Sequence, residues 1–142
     1  MLRADDYHQL GQLLDWERHV AQSWSHLEVV DTHLRKDDGT QVGNFTVGGT
    51  ARVSVTVDLH DLRSDLDVEL IIAREDTKTK KLHLASKQAF HLVSEEGSRR
   101  QYELRVDIDL PGTYKVATRI TPTHELLAHP MALGYMKWVT LF

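Results

Sequence analysis

Two hydrophobic periods divide the chain. Over residues 5 to 24, Leu10, Leu13, Leu14, Val20 and Trp24 recur near i, i+3, i+4 and i+7, the spacing of one helical face, and Asp5 or Asp6 is placed to cap its start. Gly11 costs such a helix about 1 kcal/mol relative to alanine without breaking the pattern. After Ser25 the period falls to two. Leu27 to Arg35 reads as a first strand, and Lys36-Asp37-Asp38-Gly39 as a turn. Ala51, Val53, Val55, Val57 and Leu59 then alternate with Arg52, Ser54, Thr56 and Asp58, which predicts one buried and one wet face. Val68 to Ala73 contains Leu70, Ile71 and Ile72 in succession, the pattern of a strand covered on both faces.

Glu75 to Lys81 turns the chain, Leu82, Leu84, Phe90 and Leu92 mark a less regular strand, and Glu95-Glu96-Gly97-Ser98 turns it again. Tyr102, Leu104, Val106, Ile108 and Leu110 alternate against charged neighbours, and Pro111-Gly112 leads into a partner strand over Thr113 to Thr121. A last strand is expected over Gly134 to Leu141.

The sum is one N-terminal helix over 1–24 and about seven short strands over 25–142, with no helices interleaved between the strands. That order predicts a mainly β fold, an antiparallel sandwich. Tyr114 follows a turn and opens the penultimate strand, where immunoglobulin-like sandwiches place a tyrosine corner, so an immunoglobulin-like topology is expected, with an ordinary core aromatic as the plainer reading of Tyr114. The chain has no cysteine, so its sheets are to be held by packing alone, from residues such as Val53, Val55, Leu104, Val106 and Tyr114.

Composition narrows the chemistry. A chain of 142 residues suits a single domain of ~50–250 residues with an adequate core. The lack of cysteine removes disulfides, thiolate metal sites and cysteine nucleophiles. A formal charge of -4 speaks against a nucleic-acid or anionic-lipid footprint. The first thirty residues contain no secretory apolar core, and no later run is long enough to span a bilayer, so a cytoplasmic protein without a membrane partner is expected.

Nine histidines invite a metal hypothesis, but their spacing does not support one. His124 and His129 stand at i and i+5, roughly 140° apart on a helix, whereas a zinc-protease pair needs i and i+4. Pro122 and Pro130 bracket that segment as a structured loop. Nucleophile-elbow, phosphate-loop and dinucleotide motifs are all missing. Acidic residues alternate outward along the strands as solubilising faces do, and Lys78, Lys80 and Lys81 read as a hairpin tip. The aromatics remain. Trp16 and Trp24 could share one helix face, and Trp138 stands in the last strand near Tyr135, each suited to packing or to stacking on a ligand.

Two stretches carry a resemblance. Residues 112–134 fit G-x-Y-x-x-x-x-R-x-x-P-x-H-x-x-L-x-x-P-x-x-x-G, with Gly112, Tyr114, Arg119, Pro122, His124, Leu127, Pro130 and Gly134 in place and Trp138 following. This resembles the extreme C-terminus of bacterial α-glucan phosphorylases. Leu14 to Trp24, leading into Leu27-Glu28-Val29, is similar to that family's last helix. The resemblance implies a non-catalytic accessory domain at the end of a much larger glycosyltransferase, which splits α-1,4-glucan with phosphate to glucose 1-phosphate and uses pyridoxal phosphate. The family's cofactor-lysine segment, E-A-S-G-T-S-N-M-K, is missing here, so no catalytic or cofactor-binding residue is carried over and no cofactor is expected in this chain.

The partner so implied is the phosphorylase catalytic domain. Trp16, Trp24, Arg119, His124, His129, Tyr135 and Trp138 are the candidate docking or sugar-contact residues. An α-glucan-binding module and a free-standing immunoglobulin-like interaction protein stand as alternatives.

Overall fold

The computed structural model describes residues 4–36, 49–108, 114–126 and 135–140. Helix α1 (Ala4–Ser23) runs into a short 3-10 turn (Trp24–His26). Eight strands follow among the described residues: β1 (Glu28–Lys36), β2 (Gly49–Asp58), β3 (Asp65–Glu75), β4 (Leu82–Ala89), β5 (His91–Glu96), β6 (Arg99–Ile108), β7 (Tyr114–Thr123) and β8 (Lys137–Thr140). They form two antiparallel four-stranded sheets, ordered β1-β2-β6-β5 and β4-β3-β7-β8. Matched in chain order, this is the A-B-E-D and C′-C-F-G arrangement of immunoglobulin-like sandwiches. Tyr114, the expected tyrosine corner, is the first residue of β7, and its side chain lies outside the described residues.

The extra strand comes from the irregular stretch. Leu82 to Leu92 does not form one strand but two, β4 in one sheet and β5 in the other. Phe90 stands at the switch, its ring buried and its N–H donated to the Val68 carbonyl at 2.8 Å. A strand that changes sheets there joins the layers at a corner. The turns behave as their residues dictate. Gly97 takes φ +59 in the two-residue β5–β6 hairpin, a first turn position open to glycine. Asp76 Oδ1 accepts the N–H groups of Lys78 and Thr79 and so closes the β3–β4 tip, where Lys78, Lys80 and Lys81 are exposed.

Alternation places one face of each central strand in a common core. Val53, Val55 and Val57 from β2 and Tyr102, Leu104 and Val106 from β6 meet Leu66, Val68, Leu70 and Ile72 from β3 and Val116 and Ile120 from β7. Burial pushes the Tyr102 phenol above its ordinary pKa. One expectation is corrected here. β3 is interior to its sheet, but it is not covered on both faces: Ile71 shares a half-exposed outer face with Asp67 and Glu69.

The helix belongs to this core and does not stand apart from it. Trp16 and Val20 join the cluster with Leu27, and Leu13 and Trp24 pack against it. Across the other lateral edge Lys137 Nζ donates to the Leu27 carbonyl at 2.8 Å, which ties the start of β8 to the helix exit.

Candidate functional site

A concavity of about 790 Å³ opens where α1 meets the end of the sandwich. Its walls come from Trp16, the β2–β3 loop with the start of β3, the β5–β6 turn, and the end of β7 with His124 and Glu125. The loop is held from both sides. Leu59 N–H donates to the Ser98 carbonyl at 2.8 Å, and Arg63 N–H to His19 Nε2 at 2.7 Å. Trp16 is fixed by its indole N–H, which donates to Ser64 Oγ at 3.0 Å, and by His124, whose ring centroid lies 5.2 Å away. With only 9% of its surface exposed, Trp16 faces inward. It clamps the helix to the sandwich, the packing role that its place on a helix face also allowed. His124 is half-buried, and its Nδ1 accepts the Leu126 N–H at 3.1 Å.

Charged groups rim the same end. His60, at φ +53, sits between Glu28 (Nε2 to Oε2, 2.9 Å) and Asp58 (Nδ1 to Oδ1, 3.7 Å). The hydrogen bond to Glu28 raises the His60 pKa, with the charges of Asp58, Glu28 and Asp61 adding to it. Asp58 is held below the usual carboxylate range by the Ser98 hydroxyl and the His60 N–H, and Asp61 by His26, 2.6 Å away. These groups lock the loop; among the described residues no three histidine or acidic side chains are grouped to hold a metal ion.

A second constellation lies on the outer face of the sheet β4-β3-β7-β8. Register places Ala89 opposite Glu69, Glu69 opposite Arg119, and Arg119 opposite Trp138. Residues directly opposite on antiparallel strands share a face, so Lys87, two residues before Ala89, joins the same row. Arg119 donates to Glu69 Oε1 at 2.8 Å, Lys87 approaches Glu69 Oε2 at 3.7 Å, and the Arg119 guanidinium lies 5.9 Å from the centre of the Trp138 ring. The two inner members of the row are mostly buried, whereas Trp138 is 52% exposed. Beside the row a depression of about 380 Å³ is lined by Ile71, Leu84 and Phe90. Asp67, on the same face, has its pKa raised by burial and by the neighbouring Glu69 charge.

The candidate residues thus separate into three pairs: Trp16 with His124, Trp24 with Tyr135 at 6.4 Å, and Arg119 with Trp138. His129 lies outside the described residues. Sequence reasoning missed Glu69 and Lys87. Glu69 read as one of the solubilising acidic positions and nothing singled out Lys87; only the cross-strand register reveals that Glu69 fixes Arg119 and that Lys87 reaches Glu69.

One more surface survives packing. Tyr7, Leu10 and Leu14 are 60%, 45% and 48% exposed and fall within about 60° of one another on α1, on the flank turned away from Trp16 and Val20. No helix among the described residues is long and apolar enough to cross a membrane. No curated protein matches the chain. A family model does: the glycogen phosphorylase C-terminal domain matches residues 24–140, which include both sheets in full and begin where α1 ends. The chain therefore belongs to the glycogen phosphorylase C-terminal domain family.

Proposed function

We propose that this chain is the non-catalytic accessory domain of an α-glucan phosphorylase and that it docks on the catalytic part through the free flank of helix α1. The observation that carries this reading is the apolar stripe of Tyr7, Leu10 and Leu14, left exposed by a helix whose opposite flank is already committed to the core. A helix apolar on two flanks is a helix between two bodies. Covering the exposed half of each side chain contributes about 1 kcal/mol. That suffices to orient a tethered domain, where effective concentration is in the millimolar range, and is weak between separate molecules.

The chemistry belongs to the partner: phosphorolysis of α-1,4-glucan to glucose 1-phosphate by a glycosyltransferase that holds pyridoxal phosphate, in the cytoplasm. This chain supplies no reacting group. The family match over 24–140 supports this reading over that of a free-standing interaction protein of unrelated role.

The test is an NMR titration of the isotope-labelled chain with an unlabelled phosphorylase catalytic part lacking its own terminal domain. Broadening concentrated at amides 7–14 is expected, reduced by the Leu10→Glu/Leu14→Glu double variant. Broadening confined to the sandwich, or none at high micromolar protein, would contradict the reading.

A further inference from the structure

We infer that the outer face of the sheet β4-β3-β7-β8 is a binding site for a linear α-glucan segment, with Trp138 as its stacking platform. This goes beyond docking and uses a different surface. Trp138 exposes half of its ring, although a strand of four residues at a sheet edge could have turned a smaller residue outward. Its position is fixed by the row of cross-strand contacts. Glu69 holds Arg119 at 2.8 Å, and Arg119 holds the indole by a cation–π contact at 5.9 Å. Lys87 anchors the far oxygen of Glu69 at 3.7 Å.

The row presents one exposed ring, Trp138, with the Lys87 ammonium and the Glu69 carboxylate nearby; tryptophan and arginine are common in protein interfaces, whereas lysine and glutamate are depleted there. A sugar chain offers what such a surface complements: an apolar C–H face for the indole and a rim of hydroxyls, each donor and acceptor, for charged groups already locked in place. A carboxylate has about four acceptor positions, so Glu69 keeps capacity for hydroxyl donors after its two ion pairs, and the exposed Lys87 ammonium keeps donors. Four strands about 4.8 Å apart make the row from β4 to β8 about 14 Å long, room for a short oligosaccharide laid across the strands. Membership in a glycogen phosphorylase domain family makes α-1,4-glucan the chain at hand.

The isolated 142-residue chain, titrated with maltoheptaose and followed through its indole N–H and amide NMR signals, tests this without any catalytic part. The signals of Trp138, Arg119 and Glu69 are expected to move together and to saturate in the millimolar range. Trp138→Ala is expected to weaken binding at least tenfold, and Trp138→Tyr to restore much of it. Lys87→Ala, at an exposed position, should weaken it a few-fold with the fold intact. No movement at tens of millimolar sugar, movement confined to residues away from this face, or undiminished binding by Trp138→Ala would overturn the inference. Docking through α1 would stand in any of these cases.

Discussion

At the scale of single residues, Trp16 and Thr118 show two different ways of being buried. Trp16 brings a polar tip that finds Ser64, so its burial costs no unpaired donor. Thr118 points into the core between Val116 and Ile120, and its hydroxyl finds no partner among the described residues. An unpaired buried polar group costs ~1–3 kcal/mol. Thr118→Val keeps the shape and removes the group, so it is expected to raise stability by about 1 kcal/mol in chemical denaturation. His60 carries a pH dependence. Its folded-state pKa is raised, chiefly by Glu28, so the protonated ring favours the folded state. That contribution is fully present below the unfolded value and is lost as pH rises through the folded value. NMR titration is expected to place His60 above the ordinary histidine value and Glu28→Gln to bring it down; a His60 value at or below the ordinary one would contradict the assignment. None of these partners was legible in the sequence, because Glu28 and His60 are joined by the β1–β2 register and not by spacing.

At the scale of elements, what the sequence made readable was whatever periodicity controls. The helix, the alternation of β2 and β6, and the turns at Asp76 and Gly97 follow from local pattern and turn chemistry. The β4–β5 switch did not, because Phe90 is one apolar residue in a broken pattern: its N–H bond to the Val68 carbonyl still extends the β3–β4 ladder, and the next residue, His91, already pairs with β6 in the other sheet. Likewise three successive apolar residues in β3 imitate a doubly covered strand, although Ile71 faces the outer depression. Helix α1 carries the consequence for stability. The family match begins at Trp24, yet Trp16 and Val20 sit in the sandwich core. Deleting residues 1–23 strips both and opens the Ser64 hydroxyl. The shortened chain is expected to lose at least about 3 kcal/mol, the low end for removal of one buried tryptophan side chain. Equal urea midpoints for the full and shortened chains would show that the helix is an appendage.

At the scale of the whole molecule, the domain divides its surfaces by task. One flank of α1 closes the sandwich, the other stays apolar and exposed, and the outer face of the second sheet offers a ring held by a row of ion pairs. The resemblance read from Gly112 to Gly134 led to the family, and alternation led to the sandwich. What neither could show is which helix residues stay free: Trp16 is internal and Trp24 packs against the core, so the exposed face belongs to Tyr7, Leu10 and Leu14. The most direct measurement is hydrogen–deuterium exchange across residues 4–23, compared between the chain alone and the chain carried at the C-terminus of a phosphorylase catalytic part. The account predicts that amides 7–14 exchange at least about tenfold more slowly in the joined protein, with little change in β2 and β6. Equal exchange of the helix in both settings, or protection only on the sandwich, would contradict docking through α1.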